Sequence, residues 1–520
     1  MSVFKATKFL SGAAIAAALS LVGTAALAQT TSITSDPNTV VYGKYQDGET
    51  LDPHVGSAGM FDHLVTSAIF EPLIWDFDAS KPESEMRGLR PVLAESWEII
   101  DDLTWRLTIR QGIEFHNGEP LNAEAIKFNL ERPHQEGFQT GDKIVDVAIS
   151  HVDIIDEYTV DVVTKEPIPI LPERLTRNGA FIVAPEYYST LSQDEAADVA
   201  VGTGPFKLVE WARDQYVVLE RNDNYWGEAP NFERLVIRII PEPSTMFAEV
   251  MTGNIDIAPI NPDLVDEVEA QDGVRVIIGD SLVRAMIGIN TTAHEALGDP
   301  RVREALNLAI DTDELIHAYA LGNAAKSVQM VSPPYENPNL EAKPYDPERA
   351  RELLAEAGWG DGFTIEMDVG HADTQPMAEG VEFYLSQVGV NVSRMSVLSR
   401  SVWVERWNAG TLAGLHPYYW SAGENTPETD MWSVHPDRPT NSTNWYHEEW
   451  VELYDELIST MDQDRRSEIN NRMQEILHEE NPWINLYRIP LVMAVNERIE
   501  GYFPHPSFLV EHYGNIRVVE

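Results

Sequence analysis

There is no cysteine among the 520 residues. Disulfides, zinc–thiolate sites, iron–sulfur clusters and thiol nucleophiles are therefore excluded. Positive charge is scarce: 37 Lys and Arg stand against 84 Asp and Glu, a formal net charge of −47. Such a surface repels phosphate backbones, so no nucleic-acid partner is expected. It keeps the chain soluble, and its field attracts cationic ligands. Catalytic signatures are missing as well. No G-x-S-x-G, H-E-x-x-H, phosphate-loop or dinucleotide glycine pattern occurs. Gly202-Thr203-Gly204 is followed by Pro205, which lacks the N–H that a phosphate cradle needs, so it reads as a turn. The 14 histidines are scattered, and the pairs His54/His63 and His416/His435 lack helical ligand spacing. No resident metal or other cofactor is expected. Asp311-Thr312-Asp313 lacks the Gly and Glu of a calcium loop and reads as a capping segment. With no nucleophile–base pair in view, an enzyme is not expected.

What the chain has is core. Hydrophobic residues make up 43%, enough for two or three domains at this length. The one long apolar run is N-terminal. Lys5 and Lys8 precede apolar, Ala-rich Phe9–Leu27, and Ala26-Leu27-Ala28 is a small-x-small cleavage site before polar Gln29. Residues 1–28 thus read as a secretory signal peptide cut after Ala28. An uncleaved anchor is the competing reading, since the run is nearly long enough to span a bilayer.

Gly202–Ile260 reads as compact β-structure. Phe206, Leu208 and Val209 begin a strand, and Val217-Val218-Leu219 is a second, ended by Asn222-Asp223-Asn224. Leu235–Ile240 is apolar on both parities, as in a strand buried on both faces. Pro243 and Ser244 open a helix that Gly253 stops. Asn254-Ile255-Asp256-Ile257 is expected as a short strand. Earlier, Val40–Gly43 reads as the first strand, and Met60–Phe70 as helical. Leu103, Trp105, Leu107 and Ile109 alternate with polar residues, which predicts a half-buried antiparallel strand. Asn117-Gly118 is a hairpin turn, and Asn122 caps a helix with Glu124 in its first turn. Asp299-Pro300 and Asp346-Pro347 are two further helix starts. Val302, Ala305, Leu306, Ala309 and Ile310 form a buried stripe after the first, and Gly358 ends the second. Trp450–Met461 and Ile469–Leu477 are amphipathic helices, and Pro482–Val495 is an apolar run. No internal repeat is visible.

The order G-T-G-P-F, N-x-x-Y-W, a strand, then a helix ending G-N-I-D-I resembles the extracytoplasmic solute-binding proteins of the peptide/nickel family, family 5. The phrase A-E-S-W-E…L-T-W-R-L-T-I-R-Q-G-I-E-F-H-N-G-E-P-L-N-A-E belongs to the same resemblance. Four such blocks fall in the family's order across nearly the whole chain. The resemblance implies an α/β, two-lobed periplasmic binding protein type II-like fold, with mixed sheets and a cleft between the lobes. Lobe I would be residues 35–288 plus 485–520, and lobe II residues 289–484. It implies the substrate-binding component of an ABC importer, a periplasmic monomer that hands a peptide-like ligand to the membrane permease. An oligosaccharide, an opine or glutathione-like conjugate and a nickel chelate are alternative ligands. A secreted hydrolase is the alternative of a different class and would need a nucleophile and base in the cleft. The absent cysteine removes the usual lipid anchor of such proteins.

Clustered aromatics beside a carboxylate can stack on a ligand and hold a cation. Trp403, Tyr418, Tyr419, Trp420 and Glu424 form such a cluster in sequence. In peptide-binding relatives an Asp follows a Trp here and pairs with the ligand's ammonium; Glu424 lies one position later. Those relatives also carry an Arg near Met367–Met377. This chain has His371 and Asp373 there instead, and a histidine cannot replace a bidentate guanidinium.

Overall fold

Two long strands, Val274–Ile289 and Trp483–Asn496, run antiparallel through the middle of a ten-stranded mixed sheet. The computed structural model describes residues 36–55, 63–78, 81, 85–135, 138, 149–370, 372–421, 426–438, 441–507 and 513–519. On one side of the long pair lie Ile257–Pro259, Thr39–Lys44, Arg234–Ile239, Tyr216–Arg221 and Phe206–Ala212, in that order. On the other side lie Leu415–Trp420, Phe363–Val369 and Val390–Val397. Each end of the sheet builds its own core, which makes the molecule two-lobed. Strand Thr39–Lys44 pairs in parallel with both neighbours, so both its faces are covered and all six residues are buried. Leu235, Val236 and Ile237, on a strand parallel to one neighbour and antiparallel to the other, are buried too, as their unbroken apolar run predicts.

The first lobe carries a separate four-stranded antiparallel sheet, Ala94–Asp101, Thr104–Ile109, Thr159–Thr164 and Ile149–Asp156. Trp105, Leu107 and Ile109 point inward and the residues between them do not, as the alternation predicts, whereas Leu103, expected with them, is exposed at the turn before the strand. Helix Ala123–Glu131 packs beneath, started by Asn122, whose side chain accepts from the Ala125 N–H at 3.0 Å. In the second lobe, helices Pro300–Leu308 and Pro347–Glu356 start at their Asp-Pro pairs, with Asp299 and Asp346 accepting the first-turn N–H groups.

The residues of the recognised motifs meet in space. Gly202 and Gly204 press the loop against the end of helix His63–Ile69. A Cβ on either would lie 2.3 Å and 2.7 Å from the Ile69 carbonyl oxygen. Thr203, Tyr225 and Trp226 all donate to the buried Glu71 carboxylate, at 2.8, 2.7 and 2.8 Å. His116 bonds the Gly204 carbonyl at 2.9 Å. Burial pushes the Glu71 carboxyl up against the pull of these donors. One expectation is corrected. The short strand is Ile257–Pro259 rather than residues 254–257. Asp256 accepts from the Val41 N–H at 2.8 Å and pairs with Arg498, so its side chain adds to its backbone bonds with Val41 and Asn496 in fixing that corner. Of the helical stretch expected at Met60–Phe70, residues 60–62 lie outside the described residues. Among the described residues no helix is long and apolar enough to cross a membrane.

Candidate functional site

The long pair changes register between Asp280 and Arg284, where the two lobes meet. Ser281 Oγ closes the irregularity by donating to the Ile489 carbonyl at 2.5 Å. Charged side chains flank it. Arg488 pairs with Asp280 at 2.8 Å and with Glu336 at 2.9 Å. Arg284 reaches Asp430 at 3.0 Å and Ser332 Oγ at 2.7 Å, all buried. Arg87 of the first lobe lies 3.7 Å from Asp280 and donates to the Pro333 carbonyl at 3.5 Å.

Beside this crossing is a cavity of about 60 Å³ lined by Asp76, Arg87, Glu173, Arg177, Tyr335 and His505, among others. Tyr335 comes from the segment after the first lobe's strands and donates to Glu173 Oε1 at 3.0 Å. Burial alone would raise the Asp76 carboxyl, but the hydrogen bond and charge of His505 outweigh it and lower it. The cavity therefore offers both signs of charge and an aromatic edge.

Tyr335 also packs on an aromatic cluster that holds three of the residues singled out from the sequence: Trp403, Tyr418 and Trp420. Strand Leu415–Trp420 pairs with the first long strand, Arg284 opposite Trp420 and Met286 opposite Tyr418. Strand alternation puts Tyr418 and Trp420 on one face. Trp407 stacks on Trp420, centroids 6.1 Å apart and planes 9° off parallel, and meets Tyr418 edge-on at 4.8 Å. Trp403 contacts Tyr418 at 6.1 Å. Trp403 and Tyr418 are buried, Trp420 is half-buried, and its Nε1 has no hydrogen-bond partner among the described residues. Tyr419 points to the opposite face, against the helical core of the second lobe. Burial, and then the charge of Asp373, push its hydroxyl up to about 12. Asp373 itself is exposed. The strand thus divides the sequence cluster: Tyr418 and Trp420 stay with Trp403, and Tyr419 goes with Asp373. Glu424 and His371 lie outside the described residues.

The sequence reading passed over Asp76, Arg87, Glu173, Arg177, Tyr335 and His505. Two of them carry a signal in retrospect. Glu173 interrupts the apolar run Ile168–Leu175, and His505 stands between Pro504 and Pro506. A polar group in an apolar or rigid setting needs a partner, and here the partner is across the cavity.

The model of the bacterial extracellular solute-binding proteins, family 5 Middle, matches residues 88–441. The chain belongs to that family. The glutathione-binding protein GsiB of Salmonella typhimurium is 27% identical over 435 residues, 81% of this chain and 84% of that protein. HbpA2 from Haemophilus parasuis superposes with a TM-score of 0.82 at 23% identity, over 93% of this chain and all of that one. DppA from Helicobacter pylori, a periplasmic binding protein solved with the peptide STSA, gives a TM-score of 0.70 at 23% identity, over 92% and 98%. As a family 5 member the chain is a solute-binding protein, and its neighbours share the two-lobed, mixed-sheet fold.

Proposed function

We propose that this protein captures a small peptide-like solute between its lobes and delivers it to an ABC permease, with glutathione the first candidate. The lobe junction carries the reading, because both lobes bring to it groups that suit a zwitterionic ligand, guanidinium, carboxylate and aromatic ring, around a cavity of about 60 Å³ that must widen as the lobes part to admit one. The glutathione-binding relative adds to it. We place the hinge at residues 281–283 and their partners near 489, a few residues from the expected division 35–288 plus 485–520 against 289–484, because Ala285, Ile287, Ile484 and Tyr487 pack into the second lobe's core and Ile277 and Met493 into the first's. Trp420 supplies a stacking surface and Glu424 an ammonium acceptor. Asp373 and Tyr419 lie on the other face of the same strand, and His371 is a further ligand contact. The protein works without turnover, as a monomer, in the periplasm, after cleavage behind Ala28. Its charge keeps nucleic acid away.

Native mass spectrometry of the purified protein tests the ligand class, since the mass retained distinguishes a peptide, a sugar and a metal chelate. Calorimetry with glutathione follows. Glu424→Gln keeps the shape and loses the charge. It is expected to weaken binding roughly 10- to 150-fold, the loss of one charge-assisted hydrogen bond. Equal affinities would remove Glu424 from the site, and no glutathione binding at all would remove glutathione.

A further inference from the structure

Glu173 sits where the lobes touch, on the first-lobe helix Leu171–Arg174. Tyr335 donates to its Oε1 at 3.0 Å. Its Oε2 is enclosed and has no hydrogen-bond partner among the described residues. Glu428, on the second-lobe helix Pro427–Met431, is buried and also has one enclosed oxygen, Oε2, without a partner. Its other oxygen pairs with buried Arg466. Arg466 is therefore already engaged by the second-lobe carboxyl.

We propose that the closed protein binds a proton at Glu173, so that closing the lobes takes up a proton and opening them releases it. The proposal rests on the two-lobed closure described above, whatever the ligand. A carboxylate at Glu173 would leave Oε2 charged and unsolvated beside Glu428. A neutral acid removes that repulsion and keeps Oε1 as the acceptor for Tyr335. The other charged groups at this junction are already committed. Arg87 is held by Asp280, Glu336 by Arg488, Asp430 by Arg284 and Asp76 by His505. Arg174 stands on Glu173's own helix and Arg177 just after it, and Tyr454 hydrogen-bonds the Glu428 carbonyl. The balance of these groups leaves the acid form favoured. Burial, with the Glu428 charge adding to it, lifts the Glu173 carboxyl from 4.5 to about 7 against the Tyr335 hydrogen bond and the Arg466 charge.

The sign follows from that rise. Opening the lobes would expose Glu173 to water and bring its carboxyl back toward the ordinary value. Between the two values the closed form holds the extra proton. The closed-to-open ratio therefore falls as pH rises, by up to about tenfold per pH unit in that window, and levels off above it.

The absence of native cysteine permits a direct reading. Ile155→Cys and Phe383→Cys place one dye on an exposed site of each lobe. Single-molecule energy transfer then counts closed molecules without any ligand. The closed fraction is expected to fall between pH 5 and pH 8 in the parent. In Glu173→Gln, which mimics the neutral acid, it should stay at the pH 5 level throughout. Tyr335→Phe should lower it at both pH values while keeping the pH response. A parent fraction equal at pH 5 and pH 8, including zero at both, overturns the proposal, as does a pH response that survives in Glu173→Gln. Added glutathione is scored separately: its failure to close the lobes counts against the ligand reading and leaves the ligand-free pH response as it was.

Discussion

Asp52 and Arg132 are 1% and 5% exposed and bind each other through two hydrogen bonds of 2.9 and 2.6 Å. Arg132 also bonds His54 Nδ1 at 2.9 Å and lies over the Tyr188 ring. The Leu51-Asp52-Pro53-His54 loop is thus clamped into the first lobe by charge. A buried pair is costly to break from one side only, because the survivor stays buried and unpaired. Arg132→Met is expected to destabilise the protein by about 3–5 kcal/mol in urea unfolding. Adding Asp52→Asn should restore much of that loss, since the amide carries no charge and still accepts from the His54 N–H. A double variant as unstable as the single one would show that shape, not charge, holds the loop.

At the scale of elements, the loop Gly202–Pro205 matters through its closeness to helix His63–Ile69. Gly204 donates to the Ile69 carbonyl at 2.9 Å, and no side chain fits between them. The neighbours a Cβ would strike are backbone atoms of Ala68 and Ile69, which cannot swing aside. Gly204→Ala is expected to cost about 1–3 kcal/mol, the penalty of overpacking. Because this loop carries Thr203 to Glu71, the same change should disturb the Tyr225 and Trp226 hydrogen bonds, and indole fluorescence should shift with it. An unaltered melting curve would mean that the helix end yields. Here the motif is legible in sequence because each residue has one geometric task. The strand Leu415–Trp420 is the contrary case. Its aromatic run is plain in the sequence, but which rings meet follows from the pleat and from pairing with Arg284–Ile289.

Across the whole molecule, three buried histidines and the half-buried His116 stay neutral in the fold. Burial is the first cause in each, and it lowers His54 and His116 to about 4 and His63 and His416 to about 3, from 6.5. His54, His63 and His116 belong to the first lobe and His416 to the second. Unfolding lets all four take a proton below pH 6.5, so their stabilising effect is complete above that value and lost as pH falls toward 4. Thermal unfolding should show a level melting temperature above pH 7 and a steady fall from 6.5 to 4. A melting temperature that rises on acidification would contradict it. Glu71 and Glu173, both raised by burial, act in the reverse sense, and Glu173 acts on lobe closure.

The sequence by itself determined the local features. Helix starts at Asn122, Asp299 and Asp346, the alternation around Trp105 and the doubly buried strand at Leu235–Ile237 follow from side-chain chemistry within a few residues. The family likewise shows in motifs whose members contact one another. The absence of cysteine and the charge of −47 bound the partners without any coordinates. Tertiary structure alone decided which groups share the junction between the lobes. Asp76, Glu173, Tyr335, Glu428 and His505 are separated by up to several hundred residues and come together only because two long strands cross between the lobes. Their charges act through distance and burial, and a linear sequence specifies neither until the chain is packed.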